Sequence, residues 1–118
     1  ELFFHLAIYR CRPEVGAVLH GHSPYTTAYA MAKGELPVVT AAAEVGLTRV
    51  PVVGYAPPGS QDLAGMVGDA FSDPQIKAAV LLRHGFVTVG CDIYQTFYLA
   101  DVLEDDAKVA FLLDQLKR

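Results

Sequence analysis

VLHGHSPY, residues 18–25, carries an apolar run into two histidines and then into a Ser-Pro pair. The longer stretch VGAVLHGH follows a turn and is rich in apolar and β-branched residues, so it reads as a strand. From Ser23 onward the punctuation is helical. Ser23 stands at the N-cap, Pro24 at the first helical position, and Gly34 follows the last turn of SPYTTAYAMAKG. A strand that delivers its C-terminal end to a helix N-terminus belongs to a layered α/β fold, and ligands of such folds collect at that end.

The segments on either side agree. ELFFHLAIYRCRP places Leu2, Leu6 and Tyr9 on one helical face and is stopped by Pro13. LPVVTAAAEVG and TRVPVVGYA read as two extended segments, with Pro37 and Pro51 marking strand starts or edges. PPGS is a turn, after which Ser60 caps the helix QDLAGMVGDAF and Asp62 suits its dipole. KAAVLLRHG and FVTVG are strands around a glycine turn. DIYQTFYLADVLEDDAKVAFLLDQLKR is a long amphipathic helix capped by Asp92, with Lys117 and Arg118 in its last turn. This order predicts one α/β domain over residues 1–118, a layered αβα sandwich around a central mixed or antiparallel sheet.

Composition narrows the function. The chain has 118 residues, 53% hydrophobic and 19% charged, enough to bury a core. The formal net charge is −4 and the basic residues are scattered, which argues against a nucleic-acid partner. No apolar run approaches the roughly 18–20 residues of a membrane span. Cys11 and Cys91 are far apart and lack partners at metal-ligand spacing, so they read as small buried apolar residues in a reducing cytoplasm. The opening at Glu1, straight into a helical pattern, reads as the start of a fragment of a longer protein.

The histidines carry the chemistry. Residues i and i+2 of a strand share a face, so His20 and His22 project together, roughly 6–7 Å apart at the backbone. Gly21 between them leaves the opposite face open to close packing. His84 repeats the placement, at the end of the apolar strand AVLLRHG and again before glycine. A lone histidine is ordinarily a hydrogen-bonded core or surface residue. Three at two strand ends match a catalytic zinc site with one open position. His5, mid-helix on a partly apolar face, suits a structural or supporting role. The acidic run Glu104–Lys108 reads as a solvated helix face, and Tyr25 and Tyr29 as packing residues.

At this point the sequence resembles the class II aldolase/adducin family. The resemblance rests on ELFFHLAIYRCRPEVGAVLHGHSPYTTAYA, GYAPPGSQDLA and LLRHGFVTVGCDIYQTFYLADVLEDDAKV, in the family's order over nearly the whole chain. It implies one Zn2+ per subunit, held by His20, His22, His84 and an acidic residue that falls on Glu1, 19 positions before His20. A Glu there rather than an Asp points to the aldolase branch.

The implied activity is retro-aldol cleavage of a small ketose phosphate, of the fuculose-1-phosphate type. Zinc is the Lewis acid and Glu1 the catalytic base or acid. A sugar-phosphate 4-epimerase of the same fold and a non-catalytic, adducin-head-like interaction domain are the alternatives. The family also implies a homotetramer with a phosphorylated sugar as partner. Its phosphate-binding loops precede the acidic residue, and none is present in this chain. Its proton-donating tyrosine falls nearest Ala41, which carries no hydroxyl.

Overall fold

The computed structural model describes residues 2–118. Five helices and four strands follow one another as α1 (Leu2–Cys11), β1 (Ala17–Gly21), α2 (Pro24–Lys33), α3 (Ala41–Leu47), β2 (Val52–Val53), α4 (Gln61–Phe71), β3 (Ala78–Leu81), β4 (Gly85–Gly90) and α5 (Ile93–Leu116). The strands form one sheet in the order β1-β4-β3-β2. β4 is antiparallel to both β1 and β3, while β2 and β3 are parallel, so the sheet is mixed as expected.

Period-two alternation along the strands feeds two apolar layers. Ala79, Leu81, Val87 and Val89 face α1 and α4, where they meet Phe4, Ile8, Leu63, Val67 and Phe71. Ala78, Val80 and Phe86 face the other way, toward α2, α3 and α5, with Ala30, Leu47, Leu99 and Leu103. With both faces covered, β3 is buried along its whole length.

Local cap chemistry explains most boundaries. Ser60 accepts a hydrogen bond from the Leu63 amide and Asp92 one from the Gln95 amide. Gly34 ends α2 at φ 74°, the left-handed conformation glycine adopts without strain.

Several expectations are corrected. Residues 41–47 form α3 instead of an extended segment. The β-branched Val38, Val39 and Thr40 suggest a strand, but Thr40 caps the Ala43 amide at 3.2 Å and is followed by three alanines, the strongest helix formers. Strand β2 is reduced to two residues.

Ser23 stands at the N-cap of α2 but its side chain makes no cap hydrogen bond. Glu104 of α5 does that work, accepting from the Tyr25 and Thr26 amides at 3.0 and 2.9 Å and from the Thr26 hydroxyl at 2.8 Å. Asp106 is buried and accepts from the Val39 and Thr40 amides, both at 2.9 Å. The acidic run is therefore only partly a solvated face. Two of its carboxylates tie α5 to the start of α2 and to the approach to α3.

Cys11 and Cys91 are exposed free thiols, not buried residues. Cys11 ends α1 and Cys91 lies in the turn before α5, places that composition alone does not reveal. Tyr25 and Tyr29 do pack against the second apolar layer. Burial pushes the Tyr29 phenol above its ordinary pKa, and its hydrogen bond to Asp114 adds to this. No described helix is long and apolar enough to cross a membrane.

Arg12 was not singled out by sequence pattern, yet it is 5% exposed. One terminal guanidinium nitrogen donates to the carbonyls of Phe71, Asp73 and Ile76 at 3.2, 3.1 and 2.8 Å, closing the C-terminal end of α4. Its Nε donates to Glu14 at 2.7 Å, which holds the Glu14 carboxyl below the usual range. An Arg12→Met protein is expected to lose about 3 kcal/mol, because three largely dry carbonyls lose their donor while most of the side-chain volume stays. A urea midpoint lowered at unchanged slope would show it; an unchanged midpoint would refute this account.

Candidate metal centre

Strands β1 and β3 both run antiparallel to β4, so their C-terminal ends lie along one edge of the sheet. β1 brings His20 and His22 to that edge. The β3–β4 turn, Leu82–His84, brings His84. The three imidazoles meet there: one ligand atom from each lies within 4.8 Å of the others. Ring centroids are 5.1 Å apart for His20 and His22, 4.7 Å for His20 and His84, and 5.5 Å for His22 and His84. His22 is exposed while His20 and His84 are half-buried, so the cluster opens to solvent on one side.

The cluster is oriented as well as assembled. His20 Nδ1 lies 2.9 Å from the Phe86 carbonyl oxygen. A carbonyl only accepts, so Nδ1 carries a proton, and in the neutral ring the lone pair is on Nε2. That backbone partner sets the tautomer in which a ligating histidine is normally held. His20 pairs with Val87 across the sheet and so faces the α1 side, where Phe4 meets its ring edge-on at 5.2 Å. His5 stacks on the same Phe4 at 4.9 Å and reaches the cluster through it, which matches a supporting role.

Both glycines next to the histidines are space requirements. A Cβ on Gly21 would stand 2.8 Å from the Phe86 ring, which fills the face opposite the histidines. A Cβ on Gly85 would stand 2.1 Å from the Gly21 carbonyl oxygen and 3.0 Å from the His22 ring. Only glycine lets the two histidine-bearing segments approach this closely.

The turn before β4 is itself unusual. The His84 amide donates to the Leu81 carbonyl at 2.9 Å, and Arg83, the third residue of the turn, has φ 65°. Turns of this shape favour glycine or asparagine at that position, and an arginine there costs on the order of 1 kcal/mol. The Arg83 guanidinium carbon lies 4.2 Å from the centroid of the Tyr55 ring. Neither residue stood out in the sequence, since a cation–π contact between positions 28 apart leaves no local pattern.

Three imidazoles suit a borderline-soft divalent cation such as zinc. Two nitrogens on one zinc are at most about 4.2 Å apart, so a small side-chain rotation would close the set on one ion. Glu1, the expected acidic ligand and catalytic residue, lies outside the described residues. The start of α2 offers no free amides at its first turn, because Glu104 occupies those of Tyr25 and Thr26. Ala41 opens α3 and brings no hydroxyl to the fold.

Comparison with known proteins agrees with this architecture. The model of the family described as Class II Aldolase and Adducin N-terminal domain matches residues 1–111. An L-fuculose phosphate aldolase of Methanococcus maripaludis is 36% identical over 117 residues, covering 99% of this chain and 63% of the relative. A 3-oxo-tetronate 4-phosphate decarboxylase of Pectobacterium atrosepticum is 34% identical over 122 residues, covering 99% of this chain and 55% of the relative. The crystal structure of L-fuculose-1-phosphate aldolase from Thermus thermophilus superposes with a TM-score of 0.90 at 22% identity, over 99% of this chain and 62% of that one, which shows the shared fold. The chain thus spans roughly three fifths of the length of these relatives. On the match over residues 1–111, with the mixed sheet and helix layers expected of it, the chain belongs to the class II aldolase and adducin N-terminal domain family.

Proposed function

We propose that the protein is a metal-dependent carbon–carbon lyase that cleaves a small phosphorylated ketose, with His20, His22 and His84 holding one zinc ion per chain. The observation that carries this reading is the convergence of the three imidazoles at the open sheet edge. A relative named L-fuculose phosphate aldolase supports the substrate class. A bound zinc ion would supply a Lewis acid for the substrate carbonyl and a positive charge beside the anion that develops on bond cleavage.

The chain's own residues supply orientation and proton handling. The Phe86 carbonyl keeps the His20 lone pair on Nε2, and Gly21 and Gly85 let the two ligand-bearing segments close up. Glu1 is the proposed fourth ligand and general base. Its carboxylate would take the proton from the hydroxyl whose oxygen becomes the aldehyde carbonyl as the carbon–carbon bond breaks. The next residue, Leu2, opens α1, whose Phe4 packs on His20.

A homotetramer in the cytoplasm belongs to the same proposal. Exposed Ile93, Tyr94, Phe97 and Tyr98 on α5 are suited to a subunit contact, and the two thiols are free. A domain that only makes interactions has no use for three converging imidazoles.

The relative named as a decarboxylase favours one second reading, loss of carbon dioxide from a phosphorylated 3-oxo acid at the same centre. Both begin by breaking a carbon–carbon bond next to a carbonyl. Incubation of the zinc-loaded protein with L-fuculose 1-phosphate is expected to release dihydroxyacetone phosphate, and a chelator should stop it. Carbon dioxide from 3-oxo-tetronate 4-phosphate, without aldol cleavage, would establish the second reading instead. Turnover of neither substrate by metal-loaded protein would remove the lyase proposal.

A further inference from the structure

We infer that the Arg83–Tyr55 stack is a positioning device that sets the orientation of His84, and through it the metal affinity of the three-histidine centre. The inference rests on the reading of His20, His22 and His84 as metal ligands.

Two observations meet at Arg83. Its backbone holds φ 65° at a turn position that glycine or asparagine would occupy without strain. Its guanidinium lies over the Tyr55 ring at 4.2 Å, tying the β3–β4 turn to the segment after β2. A residue kept in a strained backbone beside a candidate ligand calls for a compensating contact. Here that contact is the stack.

The mechanical link is short. His84 is the next residue, and its amide closes the same turn onto Leu81. Leu82 is anchored on the other side by its amide to the Val53 carbonyl at 3.0 Å. After His84 the chain is confined at Gly85 by the Gly21 carbonyl. The 82–83 peptide at the centre of the turn has no such tie among the described residues, and the stack on Arg83 restrains it from outside. Tyr55 is 45% exposed and Arg83 is exposed, so the contact buries little surface. Its removal should alter geometry at His84 more than global stability.

The test is a titration with Co2+, followed by the visible absorption of the bound ion, with thermal unfolding as a control. Arg83→Ala and Tyr55→Ala are each expected to weaken Co2+ binding about tenfold and to shift the absorption band, with little change in unfolding temperature. The double variant should lose no more than either single one, because both remove one contact. Tyr55→Phe keeps the ring face and should bind as the wild type does. If wild-type protein binds Co2+ and both alanine variants bind it equally well with an unchanged band, the positioning role is overturned while the metal centre stands. If wild-type protein binds no Co2+, the metal-centre reading fails and this inference with it.

Discussion

Replacing His20 by alanine is expected to abolish zinc binding, with a loss well beyond the ~100-fold that removal of a group supporting a ligand produces. His20 is held on several sides. Its Nδ1–H is held by the Phe86 carbonyl at 2.9 Å, Phe4 meets its ring edge-on, and its centroid lies 4.7 Å from that of His84. No neighbour replaces a donor placed this way, and two imidazoles retain far less affinity than three. His5→Gln is the matched control. It sits in α1, stacked on Phe4 and outside the three converging imidazoles, so it should keep metal close to wild-type levels. Elemental analysis of both purified variants, with circular dichroism to confirm folding, decides the matter. Equal zinc in the His20→Ala and wild-type proteins would remove the three-histidine site.

Gly85→Ala is the second large effect. The added carbon would lie 2.1 Å from the Gly21 carbonyl oxygen, a distance real Cβ atoms do not tolerate, and the obstacle is backbone. A flexible side chain could swing aside, but here β1 and β4 must separate. We expect a loss of about 3 kcal/mol, the upper end for overpacking in a filled core. Metal affinity should fall with it, because the same spacing sets His20 and His22 against His84. The contrast is Gly65, in the middle of α4, where a Cβ meets nothing within 4 Å. Gly65→Ala should stabilise the protein by about 0.5–1 kcal/mol through helix propensity. Denaturant melts of the two variants should therefore move in opposite directions, and a Gly85→Ala midpoint that does not fall would show that strand approach at Gly85 is not the controlling contact.

The readings that held are those written in neighbouring residues. Ser60 and Asp92 cap helices because their hydroxyl or carboxylate reaches an amide three residues on, and a turn of chain is enough to place both groups. Gly34 ends α2 for a reason contained in one backbone angle. His-x-His places two rings on one face by strand geometry alone. The resemblance of the motifs to the aldolase family is likewise a property of the linear order, and the family match over residues 1–111 confirms it.

What the sequence hid was set by pairings between distant residues. Glu104 caps a helix 78 residues earlier, and Asp106 does the same for amides 66 and 67 residues away, so a run that looks like a solvated patch is half-buried wiring. Arg12 finds its carbonyls 59 to 64 residues downstream. Within the segment 36–46, residues 41–46 went to α3 instead of a strand because Thr40 and three alanines outweighed the β-branched residues, with Asp106 holding the amides just before the helix.

The chain by itself therefore determined where α4 and α5 begin and that His20 and His22 share a face. Only the tertiary structure decided that the third histidine meets the first two, which nitrogen of His20 carries the lone pair, and that Arg83 leans on Tyr55. The physical reason is range. Periodicity and capping act over a few residues, whereas burial and charge pairing act on whatever the fold brings together.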